Sequence, residues 1–216
     1  MEDYLSALSG KPETIKTSTL LELSGISGDE LDNFTDTWLT FKSEVKVEIL
    51  TRLTELAEND VHLDFTPICK LNLSDSEPIV RKAALDGLWE LHDRAFIQPI
   101  IEVLLNDTDS DVKSAAAVAL SSFAQMSQSG KLINKDSAKI FDALIQTIEN
   151  DKETDKVLSR TLEALGYFSD QQVDHKLNQF HRDKNPLLRQ SAIFAMGRNA
   201  KQKWLDIILD DLSDEN

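Results

Sequence analysis

With 216 residues, 41% of them hydrophobic, the chain has enough apolar material for a core and is not a disordered polymer. Seven glycines and five prolines are too few to punctuate an all-β fold, and the abundance of Ala, Leu, Glu, Lys and Ser favours helices. Thirty-eight acids against 23 bases give a formal charge of −15, a field that repels a phosphate backbone, so nucleic acid is not the expected partner.

In chain order, residues 1–28 are irregular. Tyr4, Leu5 and Leu8 make one apolar turn, and Leu20, Leu21, Leu23 and Ile26 make a second patch, read together as an N-terminal cover for the first helix pair. Ser27 and Glu30 have the spacing of a capping box and predict a helix starting near Asp29. From there the predicted helices come in pairs: 29–41 with 43–59, a short 65–73 with 78–91, 95–106 with 111–125, 137–150 with 154–168, and 171–182 with 186–199. A polar loop of about nine residues is expected after Ser127. A lone helix over 201–212 ends the series, from which we expect a piece of a longer repeat protein.

The second helix of each pair opens on one phrase. Residues 75–91 read DSEPIVRKAALDGLWEL, and altered copies lie near 107–119, 151–166 and 183–197, with a fainter one at 40–53. Val45, Val80, Val112, Val157 and Leu188 open the copies at intervals of 35, 32, 45 and 31 residues, the long one holding the loop. Helix pairs at such periods stack into solenoids, because each pair alone leaves an apolar face uncovered.

EPIVRKAALDGL, SDVKSAAAVAL, KVLSRTLEALG and PLLRQSAIFAMG resemble HEAT repeats, in particular the short form of bilin-lyase-like proteins. The order of elements is also similar to that of bacterial HEAT-repeat proteins. The resemblance implies an all-α, right-handed α–α superhelix over residues 29–216, of about five pairs plus an unpaired last helix. It also implies a ladder in which the basic residue after the opening Val reaches a turn acid of an adjacent repeat and locks the stack, with Asp75/Arg81, Asp107/Lys113 and Asp183/Arg189 as the matching positions. The ladder should be weaker or rerouted at Lys46, where Thr40 replaces the acid, and at Leu158, where the base is missing.

Enzymatic chemistry finds little support. His62, His92, His175 and His181 are not three or four residues apart, and no His-Glu pair recurs as in the metal-dependent HEAT hydroxylases. No Cys-x-x-Cys, glycine-rich phosphate loop or Gly-x-Ser-x-Gly elbow occurs, so neither metal nor cofactor is expected. The lone Cys69 lies in an apolar stretch and reads as a structural thiol. It permits no intrachain disulfide, and with no signal peptide or membrane-length apolar run it suggests a cytoplasmic protein that does not enter a membrane.

A non-enzymatic scaffold for a protein or peptide partner remains, with a bilin-lyase-like or chromophore-binding protein as the alternative. In such stacks the second helices line the concave side. Positions two and six after the opening residue form its stripe: Val47/Thr51, Lys82/Asp86, Ser114/Val118, Ser159/Glu163 and Gln190/Phe194. Lys82, Asp86, Trp89, Glu90, Val118, Glu163 and Phe194 are the candidate partner-binding residues. Trp89, where the family pattern has Gly, either fills a gap or projects into the groove. The acidic excess serves solubility or offers a docking face to a basic partner.

Overall fold

Alanine, leucine and charged residues at helical spacing produce helices and, among the described residues, no strand. The computed structural model describes Leu8, residues 14–88 and residues 93–213, the side chains of Leu212 and Ser213 apart. Tyr4, Leu5, Trp89, Glu90 and His92 lie outside the described residues. Two compact units, 1–90 and 91–216, divide the chain.

In the first unit α1 (Thr17–Leu21) precedes the pair α2 (Asp29–Trp38) and α3 (Ser43–Asn59), then α4 (Thr66–Asn72) and α5 (Pro78–Asp86). Leu20, Leu23 and Ile26 are buried as expected of the apolar patch, whereas Leu21 is exposed. The capping box does not form. Helix α2 starts at Asp29, but its N-cap is Gly28 at φ +54, with no side-chain cap. That left-handed turn suits glycine, and the Ser27 carbonyl accepts from the Glu30 amide instead. Pro78 occupies the first turn of α5, where its missing N–H leaves nothing unpaired.

Polar pairs knit the two helix pairs of this unit. Buried Trp38 donates its indole N–H to Asn72 Oδ1 at 2.6 Å, and Asn72 in turn donates to the Ile68 carbonyl. Lys46 Nζ lies 2.7 Å from Asp75 Oδ2, their side chains only 9% and 8% exposed. Next to Val45, which is half-buried, it is thus the lysine stem that is covered.

In the second unit a 3-10 turn, Arg94–Phe96, leads into α6 (Ile97–Asn106). Then follow α7 (Ser110–Gln128), α8 (Asn134–Ile148), α9 (Asp155–Leu165), α10 (Gln171–His181), α11 (Pro186–Asn199) and, after a 3-10 turn at Gln202–Trp204, α12 (Leu205–Ser213). Helix α7 packs on α9 and α9 on α11, so the second helices form one layer, backed by α6, α8 and α10. The expected nine-residue loop shrinks to 129–133. Helix α7 runs on to Gln128 and Ser129 caps it, while Ser127 and Ser137 hydroxyls join across the turn. Buried Trp204 repeats the device of the first unit, donating to Asn199 Oδ1 at 3.0 Å. Asn199 donates to the carbonyls of Gly166 and Phe168.

Small residues set how closely the layer packs. Ala115, Ala116, Ala117 and Ala119 of α7 and Ala192 and Ala195 of α11 are buried. Two hydroxyls, Ser114 Oγ and Thr161 Oγ1, are buried without a hydrogen-bond partner among the described residues. Valine has nearly the shape of threonine and lacks the hydroxyl. Thr161→Val is therefore expected to raise stability by about 1 kcal/mol, read as a higher urea midpoint. A lower midpoint would mean that the hydroxyl is bonded after all.

Candidate functional site

The turns between helices aim the second helix of each pair. Asp75, Asp107 and Asp183 each accept, through Oδ1, the backbone N–H two residues on, at 2.9, 2.9 and 2.8 Å. This is the Asx turn that shapes the chain before the next helix. In the fourth copy Asn150, not Asp151, does so, accepting from the Lys152 amide at 3.2 Å, so the turn there is two residues longer than in the other three.

The basic residues hold the turns in two ways. Arg81 donates to the carbonyls of Asp75 and Ser76 at 2.8 and 3.2 Å, and Arg189 to those of Asp183 and Lys184 at 2.9 and 3.0 Å. These arginines clasp their own turn. The lysines reach into the next pair: Lys46 to Asp75, and Lys113 of α7 to Glu153 in the turn before α9. Lys46 thus needs no acid at Thr40. Where Leu158 replaces the base, Asn185 donates to Asp155 Oδ2 at 2.6 Å across the same gap.

Of the stripe residues, Lys82 and Asp86 belong to the first unit and pair with each other, 2.5 Å apart and largely exposed. In the second unit the stripe is only partly exposed. Ser114 and Ser159 turn inward, since their small side chains fit where α7, α9 and α11 close on one another, and Ser159 Oγ meets Ser191 Oγ at 2.7 Å. Val118 and Phe194 remain 48% and 52% exposed. Glu163 is largely covered, held by Arg160 at 2.9 Å and by the Ser191 hydroxyl at 3.2 Å.

Sequence reasoning missed the residue that joins these side chains. Arg198, near the end of α11, lies with its guanidinium 4.3 Å from the centroid of the Phe194 ring and 4.8 Å from that of Tyr167. Its Nη1 donates to the Glu163 carbonyl of α9 at 3.0 Å and to Ser121 Oγ of α7 at 3.3 Å. Gln128 of α7 donates to the Arg198 carbonyl at 3.1 Å. In a flat layer with axes 8–10 Å apart, α7 and α11 would be separated by roughly 18 Å. Arg198 bridges that distance at the C-terminal end of α9, which stops at Leu165, by holding the open Glu163 carbonyl and reaching on to Ser121. Glu163, Tyr167, Phe194 and Arg198 therefore share one side of this unit, and Val118 lies one turn before Ser121 on α7.

Nothing at the face resembles an activated nucleophile. Burial pushes the Cys69 thiol of the first unit up to about 12, with the Asp64 charge adding to the effect and a backbone hydrogen bond opposing it. It stays a thiol at neutral pH, whereas nucleophilic attack needs the thiolate. Among the described residues no group of three or more His, Cys, Asp or Glu is placed to hold a metal ion. No helix of the described residues is long and apolar enough to cross a membrane.

Stacked helix pairs, Asx-turned connections and a layer of second helices define an α-solenoid repeat protein. Residues 66–141 match the family model of HEAT repeats. The match is to HEAT repeats as such, and a likeness to bilin-lyase-like proteins is not part of it. Solved structures agree on the fold. An engineered protein matches at a TM-score of 0.56 with 18% identity, over 92% of this chain and 98% of that one. A designed armadillo repeat protein matches at 0.52 with 16% identity, over 91% and 98%. A second designed armadillo repeat protein, in complex with the peptide (KR)4, matches at 0.54 with 16% identity, also over 91% and 98%. No curated protein matches the chain.

Proposed function

We propose that the protein is a non-enzymatic interaction scaffold that holds a protein or peptide segment on the concave face of its second helices. One observation carries this: Val118 and Phe194 stay half-exposed on the layer of second helices, and Phe194 lies against the fixed guanidinium of Arg198. Exposed apolar residues beside fixed polar groups are the usual makings of a binding hot spot. The peptide complex of the designed armadillo protein supports the proposal at the level of fold, since a helical layer of this kind offers a groove for an extended chain. Lys82 and Asp86 are the proposed contact residues of the first unit. Nucleic acid is not the proposed partner, given the charge of −15, and the cytoplasm is the proposed setting.

Affinity capture from a source lysate tests the idea when the chain is compared with Phe194→Asp and with Val61→Asp, a change at an exposed loop valine of the first unit. A buried anchor replaced by a carboxylate is expected to lower binding by about tenfold or more. Phe194→Asp should empty part of the captured set and Val61→Asp should leave it intact. Equal sets from all three proteins would rule out the concave face.

A further inference from the structure

We propose that the concave face of the second unit recognises an acidic-apolar peptide segment, in which a partner carboxylate docks on Arg198 beside an apolar side chain packed on Phe194 and Val118. The proposal rests on the concave-face function above and adds the chemistry of the partner.

Charge is the first reason. In a chain with 15 more acids than bases, fixed lysines of this unit hold a carboxylate: Lys113 has Glu153, Lys156 has Asp111, and Lys201 has Asp174, while Arg189 is taken up by the carbonyls of its own turn. Arg198 is as firmly placed and has no carboxylate partner among the described residues. Its two hydrogen bonds, to a carbonyl and a hydroxyl, both use Nη1. A guanidinium has five N–H groups, so those on Nε and Nη2 are left without a partner among the described residues. The nearest acid on this face is Glu163, whose carboxylate is engaged by Arg160 and Ser191.

Pre-organisation is the second. Stacking against Phe194 and Tyr167 fixes the rotamer of Arg198 before any partner arrives, so less conformational entropy is lost on binding. A planar, pre-set guanidinium matches a carboxylate, and the low-dielectric rings beside it strengthen the pair.

Location is the third. Five acids of this unit, Glu149, Asp151, Glu153, Asp155 and Asp183, line a groove of about 650 Å³ at the turns with Lys176 and Lys184, away from Arg198. A basic peptide such as that of the designed armadillo complex would meet a cation here. The occupant favoured by this face is thus opposite in sign to the one the net charge suggests.

A random 12-residue peptide library displayed on phage, panned against the full chain, tests the proposal. Selected peptides are expected to place Asp or Glu next to Leu, Ile or Phe. The best synthetic binder should lose about tenfold in Kd when its acid is changed to the amide, and a similar factor against Arg198→Gln. The two changes together should cost little more than either alone. The amide peptide needs no change to the protein, so the result stands even where Arg198→Gln loosens the fold. Binders that are lost with Phe194→Asp, yet are rich in Lys or Arg or tolerate the amide, would overturn carboxylate recognition and leave the concave face intact. No binders, or binders indifferent to Phe194→Asp, would overturn both.

Discussion

Gly166→Ala is expected to destabilise the second unit by roughly 2 kcal/mol, the cost of overpacking a tight contact. Gly166 closes α9 against α11, and a Cβ there would come within 2.7 Å of the Ala195 carbonyl oxygen and 2.9 Å of its Cα. Both are backbone atoms, so relief requires α11 itself to move. The backbone at Gly166 is ordinary αR, which makes the constraint one of space and not of conformation. Gly197 occupies the same repeat position one pair later, and a Cβ there would meet nothing within 4 Å. Gly197→Ala, inside α11, is therefore expected to be neutral or to gain up to about 1 kcal/mol from helix propensity. Urea midpoints of the two variants decide the matter. Equal midpoints would mean that α9 and α11 are not in close contact at Gly166.

That contrast marks the limit of what the sequence makes legible. The period, the buried opening residues Val80, Val112, Val157 and Leu188 and the boundaries of α3 and α11 can be read directly, because burial at i, i+3 and i+4 leaves a pattern in residue type, whereas Val45 is only half-buried. Two glycines in equivalent positions look alike, and only the distance to Ala195 separates them. Serine at the stripe positions 114 and 159 is small and polar, so pattern alone does not tell an inward hydroxyl from an outward one. Arg198 escaped for a simpler reason. Stripe positions two and six after each opening residue continue one turn further, to position ten, which holds Tyr167 in one pair and Arg198 in the next. Extending the i, i+4 series by that one step would have placed the aromatic and the cation on the same face. The bond from Arg198 to Ser121 has no such signal, since it depends on the spacing of α7 and α11.

Asp75→Asn is the second change expected to have a large effect, and its size should depend on pH. The Asn side chain can still accept from the Glu77 amide and keep the turn, so the variant isolates the charge. At pH 7 it leaves Lys46, whose side chain is 9% exposed, without its anion, at a cost of about 3 kcal/mol. Burial alone would raise the Asp75 pKa. The hydrogen bonds from Lys46 and the Glu77 amide, with the charges of Lys46 and Arg81, outweigh it and hold the carboxyl below its ordinary value. A depressed folded-state pKa means that the stabilisation is complete above the unfolded value, about 3.9, and is lost as pH falls through the lower folded value. Wild type and Asp75→Asn should therefore differ most in urea midpoint at pH 6–7 and converge in acid. Replacing both partners, as Lys46→Met with Asp75→Leu, should cost less than either single change, because no charge is then stranded under the Trp38 ring. A gap between wild type and Asp75→Asn that stays constant from pH 7 to pH 3 would show that the Lys46–Asp75 pair does not join the two helix pairs of the first unit.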